Sequence, residues 1–453
     1  MKIPVSPPPF EELFPESLKH SRELATAVAN AGGVAPDGKY RHWDKLRHIE
    51  PPHGLSSHLW WLGIKLARQN MYQRLPMVDK AGRPFQYALP GIALQMLQLI
   101  DRDASGNLEG NPQVTDPQTR DTYLFKSLVE EAITTSQLEG ASTTRRVAKE
   151  MIQTGREPSN RSEHMILNNY EAMLYVRRLF AEKLTPDHVI ELQRILTHEA
   201  IDDPDASGRL RLPGEEIHVA DDVTGVPLHV PPSAEQLPKR LRALCDFANG
   251  STLGEYVHPV VRSVILHFWL GYDHLFVDGN GRTARALFYW SMASQGYWLC
   301  EFISLSRILK KARSDYGRSF LYTETDDNDA TYFLLHQLRV IRRAIDDLHV
   351  YLERKATELN ETARALGVHG TLCWLLNHRQ VTLLSHAMKN PEAHYTIESH
   401  GRSHGISYAT ARSDLLQLAR KKLLDMGHIG KRFDFSVPQD LHARISGQGS
   451  TGR

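Results

Sequence analysis

The chain is poor in cysteine. Cys245, Cys300 and Cys373 are its three, and no two of them form a CxxC pair. That spacing excludes a disulfide framework and a cysteine-based zinc site, and it fits a reducing compartment. Long apolar runs are also missing. The richest stretch, 91–100, is interrupted by Gln95 and Gln98, whereas a bilayer span needs about 20 residues, so no membrane partner is expected. The N-terminus, MKIPVSPPPFEELFPESLKH, has no apolar segment of the secretory kind, and a cytoplasmic location is the expectation. Neither sign of charge dominates: 54 Lys+Arg stand against 53 Asp+Glu. No global field favours nucleic acid or an anionic surface, which leaves only local patches. There is no internal repeat. There is also no alternation of strands with long helices, so a doubly wound parallel sheet is excluded.

What is present is mostly helix. A chain of 453 residues exceeds one ordinary core and predicts two to four units of roughly 100–200 residues each. The Pro-rich residues 1–20 read as loop, and 101–117 (DRDASGNLEGNPQVTDP) as a linker. His58–Met71 and Leu89–Ile100 read as helices. Tyr123–Leu138 sets Leu124, Leu128, Ala132 and Thr135 on one stripe and stops at Gly140, a left-handed cap. Helices follow at 162–182, 186–199, 234–249 and 258–273, then run from the turn at 279–281 to about 364. Between them Ile217, Val219, Val226, Leu228 and Val230 alternate about a turn, which predicts a β-hairpin. Beyond 367, helices at 371–376 and 407–424, with a short helix or turn at 395–403 between them, precede a β-ribbon at 426–437. That is the layout of a winged helix-turn-helix. The final SGQGSTGR reads as disordered.

Three glycine-rich pieces compete as phosphate or metal loops. Residues 33–40 (GVAPDGKY) nearly spell a P-loop, but Tyr40 replaces the hydroxyl that would ligate Mg²⁺, and no apolar strand precedes it. Asp101, Asp103, Ser105 and Gly106 begin like a calcium loop, yet Pro112 stands where a bidentate Glu is needed. Gly279, Gly281 and Ala284 satisfy a loose GxGxxA with Glu301 downstream. What precedes them, however, has the period of a helix, and a dinucleotide site needs a strand there.

The third piece reads better as a helix–loop–helix anion cradle. Gly279 and Gly281 let backbone N–H groups approach an anion, and the helix beginning near Arg282 points its positive end at the same spot. Arg282 and Arg285 share a face and carry forked donors for phosphate. Asp278 brings a carboxylate where phosphate-bound Mg²⁺ would sit. His274 is a base for neutral pH. Together these make a compact phosphotransfer set.

The run His274-Leu275-Phe276-Val277-Asp278-Gly279-Asn280-Gly281-Arg282-Thr283-Ala284-Arg285 resembles the signature of the Fic (filamentation induced by cyclic AMP) family, HxFx(D/E)GNGRxxR. Every fixed position is met; Leu275 stands where Pro is usual. The resemblance covers about 115–350. Thr135-Ser136-Gln137-Leu138-Glu139-Gly140 resembles the family's inhibitory motif, (S/T)xxxE(G/N), placed N-terminal to the core. The resemblance implies transfer of AMP from ATP, with Mg²⁺, to a Ser, Thr or Tyr hydroxyl of a target protein. It implies His274 as base, Asp278 as metal ligand, and Gly279, Asn280, Gly281, Arg282 and Arg285 around the phosphates. Glu139 would be the inhibitory partner of Arg285. The hairpin at 217–230 resembles a flap that aligns the target chain.

Two other functions remain open. The same site can remove AMP from a modified protein. Alternatively, the chain is a transcription regulator that contacts DNA through Arg402, Arg412, Lys421, Lys422, Lys431 and Arg432 and uses the core as a nucleotide sensor. A homodimer is suggested by the resemblance alone. The expected fold is mainly α: a Fic helical core with a small β-hairpin flap, plus a C-terminal winged helix-turn-helix. Residues 1–110 would be an accessory region and 111–360 the Fic unit, with its inhibitory helix at about 123–140. The winged helix would occupy 365–440 and a disordered tail 441–453.

Overall fold

The computed structural model describes residues 2–31, 33–105, 117–215, 217–221, 224–251, 256–365, 376–429 and 432–445. The chain begins with α1 (Phe10–Lys19), α2 (Ser21–Ala31), α3 (Trp43–Leu46) and α4 (Ser57–Gln69). An antiparallel hairpin of β1 (Gln73–Val78) and β2 (Pro84–Tyr87) leads to α5 (Gly91–Ala104). Then come α6 (Pro117–Leu138), α7 (Arg145–Thr154), α8 (Arg161–Arg178) and α9 (Pro186–Thr197). A second antiparallel pair, β3 (Val219–Ala220) and β4 (Pro227–His229), precedes α10 (Leu237–Ala248), α11 (Pro259–Asp273) and α12 (Asn280–Ser294). Helices α13 (Leu305–Lys311), α14 (Arg313–Thr325) and the long α15 (Thr331–Ala365) follow.

The main core forms around α11. Val260, Val261, Val264, Ile265, Leu266, Phe268 and Leu270 are all buried, so this helix is apolar on every side and lies inside the bundle. It packs on α10, α12 and α15. The N-terminal region divides in two. Leu13, Trp43, Leu46, Trp60, Trp61 and Ile64 make a small core of their own. Residues 73–104, expected in the accessory region, join the main core instead: Phe85 packs its ring 5.4 Å from Phe268 and 5.0 Å from Tyr272. Residues 10–19, read as loop, form α1 despite Pro15. Asp101 and Asp103, read as linker, lie in α5, and 106–116 fall outside the described residues. The P-loop-like piece is a turn: Tyr40 Oη donates to Asp329 Oδ2 at 2.6 Å, and Arg68 lies 3.6 Å over its ring.

Helix α6 starts at 117, earlier than the periodicity predicts, and its end follows the sequence. Gly140 adopts φ +97°, and Ala141 N donates to Ser136 O at 2.9 Å, closing the last turn from outside. Leu124, Leu128, Ala132 and Thr135 are buried on one stripe. Glu131, also buried, accepts from Ser304 Oγ and Ser306 Oγ and so anchors the helix beside α13.

The C-terminal unit has a separate core of Leu383, Leu384, Ile397, Ala411, Leu415, Leu418 and Phe435. Its elements are α16 (His378–Lys389), β5 (His394–Tyr395), α17 (Ile397–His404), α18 (Tyr408–Arg420), β6 (Asp425–Ile429) and β7 (Arg432–Ser436), with strand order β5-β7-β6. Helix α16 goes unrecognised in the sequence although Asn377 and Gln380 form a capping box. The helix expected at 371–376 falls almost wholly outside the described residues. A short α19 (Leu441–Ile445) occupies the start of the expected tail, and 446–453 lie outside the described residues. Among the described residues, no helix is long and apolar enough to cross a membrane.

Candidate active site

Two helix ends build the site. α11 finishes at His274, which takes a left-handed φ of +44° as its C-terminal cap. Five residues later Gly279 takes φ +87° and α12 begins at Asn280, so Gly281 sits in the first helical turn rather than in a loop. Neither backbone conformation is strained for Gly279, while His274 needs support. It receives support from Arg211, whose Nε donates to His274 O at 2.8 Å and whose Nη2 donates to Pro232 O. Arg211 N also donates to Leu275 O at 3.0 Å. One arginine thus ties the base loop to the strand end that follows β4.

The loop is braced from within. Asn280 Oδ1 accepts from Phe276 N at 3.0 Å, and its Nδ2 donates to Phe276 O at 2.7 Å. Arg282, almost fully buried, donates through Nη1 to Leu196 O at 2.9 Å, and its Nη2 forms an ion pair with Asp278 Oδ1 at 3.0 Å. Asp278 Oδ1 also accepts from Gly279 N, and Gln193 Nε2 donates to Asp278 O. The sequence reading places Asn280 and Arg282 against phosphate. In this structure their side chains bond within the loop and, through Arg282 Nη1, to the end of α9, while Arg282 Nε is buried without a partner. The backbone N–H groups at the head of α12 keep their anion-binding character.

A cavity of about 570 Å³ opens beside this loop, lined among others by Glu139, His274, Gly281, Arg285, Tyr316 and Glu324. Asp278, Gly279, Asn280 and Arg282 stand outside its wall. His274 Nδ1 lies 2.5 Å from Gly271 O. A carbonyl only accepts, so Nδ1 carries the proton and Nε2 keeps the lone pair. Burial, with smaller contributions from His229 and Arg211, pushes the His274 pKa down to about 4. The ring is therefore neutral at pH 7 and ready to accept a proton.

Glu139 projects from the C-terminal end of α6. Arg285 Nη2 donates to Glu139 Oε1 at 2.6 Å, and Arg285 Nε donates to Thr135 Oγ1 at 2.6 Å. Thr135 and Glu139 are four apart and so share one helix face. A Cβ built on Gly281 would lie 2.4 Å from Glu139 Oε1. The carboxylate therefore sits directly against the head of α12. Burial raises its pKa, but the charges of Arg285, Arg282 and Arg313 outweigh burial and hold it below the usual carboxylate range.

Asp278 is the one sequence-predicted metal ligand, and its carboxylate is 38% exposed. Among the described residues, no cluster of three or more His, Cys, Asp or Glu is placed to hold a metal. A lone accessible carboxylate beside an anion cradle suits Mg²⁺ arriving on nucleotide phosphates with its waters; it does not suit an ion caged by protein.

Sequence reasoning missed several residues that line or brace the cavity. His229 on β4 bonds Glu324 through Nδ1 at 2.7 Å and Tyr272 O through Nε2 at 2.7 Å, which joins the hairpin to α14. Arg211, Tyr316 and Glu324 lie far from the motif in sequence and carry no spacing signal. The hairpin is shorter than 217–230: Val219 pairs with His229 and Ala220 with Pro227 across an irregularity.

Comparison with known proteins places the motif in a recognised family model. Residues 183–292 match the model of the Fic/DOC family. The chain is 28% identical over 232 residues to "Protein adenylyltransferase Fic" of Nematostella vectensis, covering 48% of this chain and 51% of that one. It is 30% identical to the protein of the same name from Drosophila willistoni, covering 35% and 31%. The chain thus spans about half or less of the length of these curated relatives. A crystal structure of a Fic family protein from Desulfovibrio desulfuricans has TM-score 0.47 and 17% identity, covering 80% of this chain and 98% of that chain. The matched segment 183–292 contains His274 and every residue of the loop to Arg285, and the chain accordingly carries a Fic/DOC family domain.

Proposed function

We propose that this chain transfers AMP from ATP to a protein hydroxyl and that Glu139 restrains the transfer. The observation that carries the reading is the pairing, in one cavity, of a neutral base with an anion site: His274 with its Nε2 lone pair, and the head of α12 with Arg285. A Ser, Thr or Tyr hydroxyl of the target gives its proton to His274 Nε2. Its oxygen bonds the α-phosphorus, the bond from that phosphorus to the β-phosphate bridging oxygen breaks, and pyrophosphate leaves. The backbone N–H groups of residues 279–281 and the Arg285 guanidinium hold phosphate oxygens. Asp278 would hold Mg²⁺, which neutralises phosphate charge when bound. The β3–β4 hairpin offers an edge for the target chain.

Glu139 restrains this by occupying the anion position. Its carboxylate takes the Arg285 donor and crowds Gly281, as a phosphate oxygen would. The α6 helix is, in this reading, an inhibitory element, and the C-terminal unit a winged helix-turn-helix. The reverse reaction has one observation in its favour: Glu139 and His274 line the same cavity, so the carboxylate can position water toward a bound adenylyl group.

The test is to supply Glu139→Gly protein with Mg²⁺ and ATP labelled at either the α- or the γ-phosphate. AMP transfer places only the α-label on protein. Label from the γ-position would replace this reading with phosphoryl transfer.

A further inference from the structure

We propose that the C-terminal unit is a binding surface for double-stranded DNA, with α18 entering the major groove and the β6–β7 hairpin lying along the adjacent backbone. Helices α17 and α18 are joined by residues 405–407, with Gly405 at φ +64° and Ser407 Oγ accepting from Thr410 N to cap α18. This is a helix-turn-helix with a hairpin beside its second helix.

The two helices face different ways. α17 packs against α6 and α7, and Arg402 Nη1 donates to Gln153 O at 2.9 Å. Arg402, expected to contact phosphate, is exposed but bonded to the end of α7 instead. α18 buries Ala411, Asp414, Leu415 and Leu418 in the unit's own core and leaves Tyr408, Thr410, Arg412 and Ser413 exposed. Hydroxyls and a guanidinium on the first turns of the second helix are the donors and acceptors that read base edges in the major groove.

The charge distribution selects the partner. Residues 377–445 hold ten Lys+Arg against six Asp+Glu, while the whole chain holds 54 against 53. Four of the six acids are paired within the unit. Asp414 is buried and accepts from Arg379 at 2.7 Å; Asp434 bonds His394 at 2.6 Å; Arg444 lies against Asp425 and Asp440. Arg412, Arg420, Lys421, Lys422 and Arg432 form no ion pair among the described residues. The Arg412 guanidinium lies 5.9 Å from the centre of the Phe433 ring, which joins the helix and the hairpin into one cationic edge. Lys431, also expected to contact DNA, falls outside the described residues. Cations flanking groove-reading hydroxyls match a polyanion of regular repeat better than an acidic protein surface.

The test uses the full chain and a fluorescent random-sequence duplex of about 30 base pairs, read by anisotropy in about 50 mM and about 200 mM salt. The expected result is binding that weakens roughly 100-fold across that range. Arg412→Glu combined with Lys421→Glu and Lys422→Glu is expected to weaken low-salt binding at least ~10-fold, and Arg412→Gln alone to reduce the salt slope by about one. Thermal unfolding of both variants is expected to match the parent. Absence of low-salt binding by the parent overturns the proposal. So does equal binding by parent and triple variant, or capture of an acidic protein without any binding of DNA. No ATP is present, so the outcome is independent of the AMP-transfer reading.

Discussion

Arg285 donates through Nη2 to Glu139 Oε1 at 2.6 Å, and this pair stands against Gly281 at the head of α12. Under the proposed function, this arrangement makes one arginine serve two anions in turn. While Glu139 holds it, a nucleotide phosphate meets a carboxylate where it needs a donor. The energetic scale is that of one charged hydrogen bond, about 1.5–3 kcal/mol, or roughly a 10- to 100-fold change in nucleotide affinity.

The first prediction concerns that exchange. Glu139→Gly is expected to tighten ATP binding by about 10-fold or more, measured by calorimetry. Adding Arg285→Ala in that background is expected to reverse the gain. Unchanged affinity in Glu139→Gly would mean that the carboxylate and the phosphate do not share a position.

Gly281→Ala tests the cradle itself. In the Glu139→Gly background the new Cβ still lies 3.1 Å from Arg285 Nη1 and stands over the N–H groups at the head of α12. ATP affinity is expected to fall at least ~10-fold, with little change in thermal stability. Normal affinity would place the phosphates elsewhere.

Arg211→Lys and Arg211→Ala test positioning of the base. Arg211 touches His274 only through its carbonyl oxygen, so ATP affinity is expected to hold in the Glu139→Gly background. Turnover is expected to fall about 10- to 100-fold in the Ala variant, with partial recovery in the Lys variant. Equal loss of affinity and turnover would make Arg211 merely structural.

The pH dependence follows from burial. Desolvation holds His42, His274 and His336 at about 4 and His267 at about 3, all below the ordinary 6.5. Between those values the unfolded chain binds protons that the folded chain refuses. Stability is therefore complete above pH 6.5 and is lost as pH falls toward 4, by about 1.4 kcal/mol per pH unit for each such histidine. The melting temperature is expected to drop between pH 7 and pH 5. Labelling by Glu139→Gly at low temperature is expected to stay level down to about pH 5, because His274 remains neutral there.

Much of the site was legible because its residues are close in sequence. His274 to Arg285 spans one helix end, one turn and one helix start, and local rules of capping and glycine geometry govern all three. Thr135 and Glu139 were legible for the same reason, being four apart on one helix. Arg211 and the His229–Glu324 pair were not, because only tertiary packing brings β4, α14 and the base loop together. The intramolecular bonds of Asn280 and Arg282 were not legible for a related cause. Their residue types suit phosphate, and the carbonyls Phe276 O in the loop and Leu196 O at the end of α9 also take donors from them. In the fold, helix α1 was hidden by Pro15 and the prolines before it, and Phe85 gives no local sign that residues 73–104 pack on the core at Phe268.

The central claim is tested most directly by comparing three proteins: the parent chain, Glu139→Gly, and Glu139→Gly with His274→Ala. Each is incubated with Mg²⁺ and ATP labelled at the α-phosphate, and protein-bound label is measured. The account predicts weak labelling of the first, strong self-labelling of the second and none of the third. Equal labelling of all three, or none in Glu139→Gly even with cell lysate supplied as target, would contradict it.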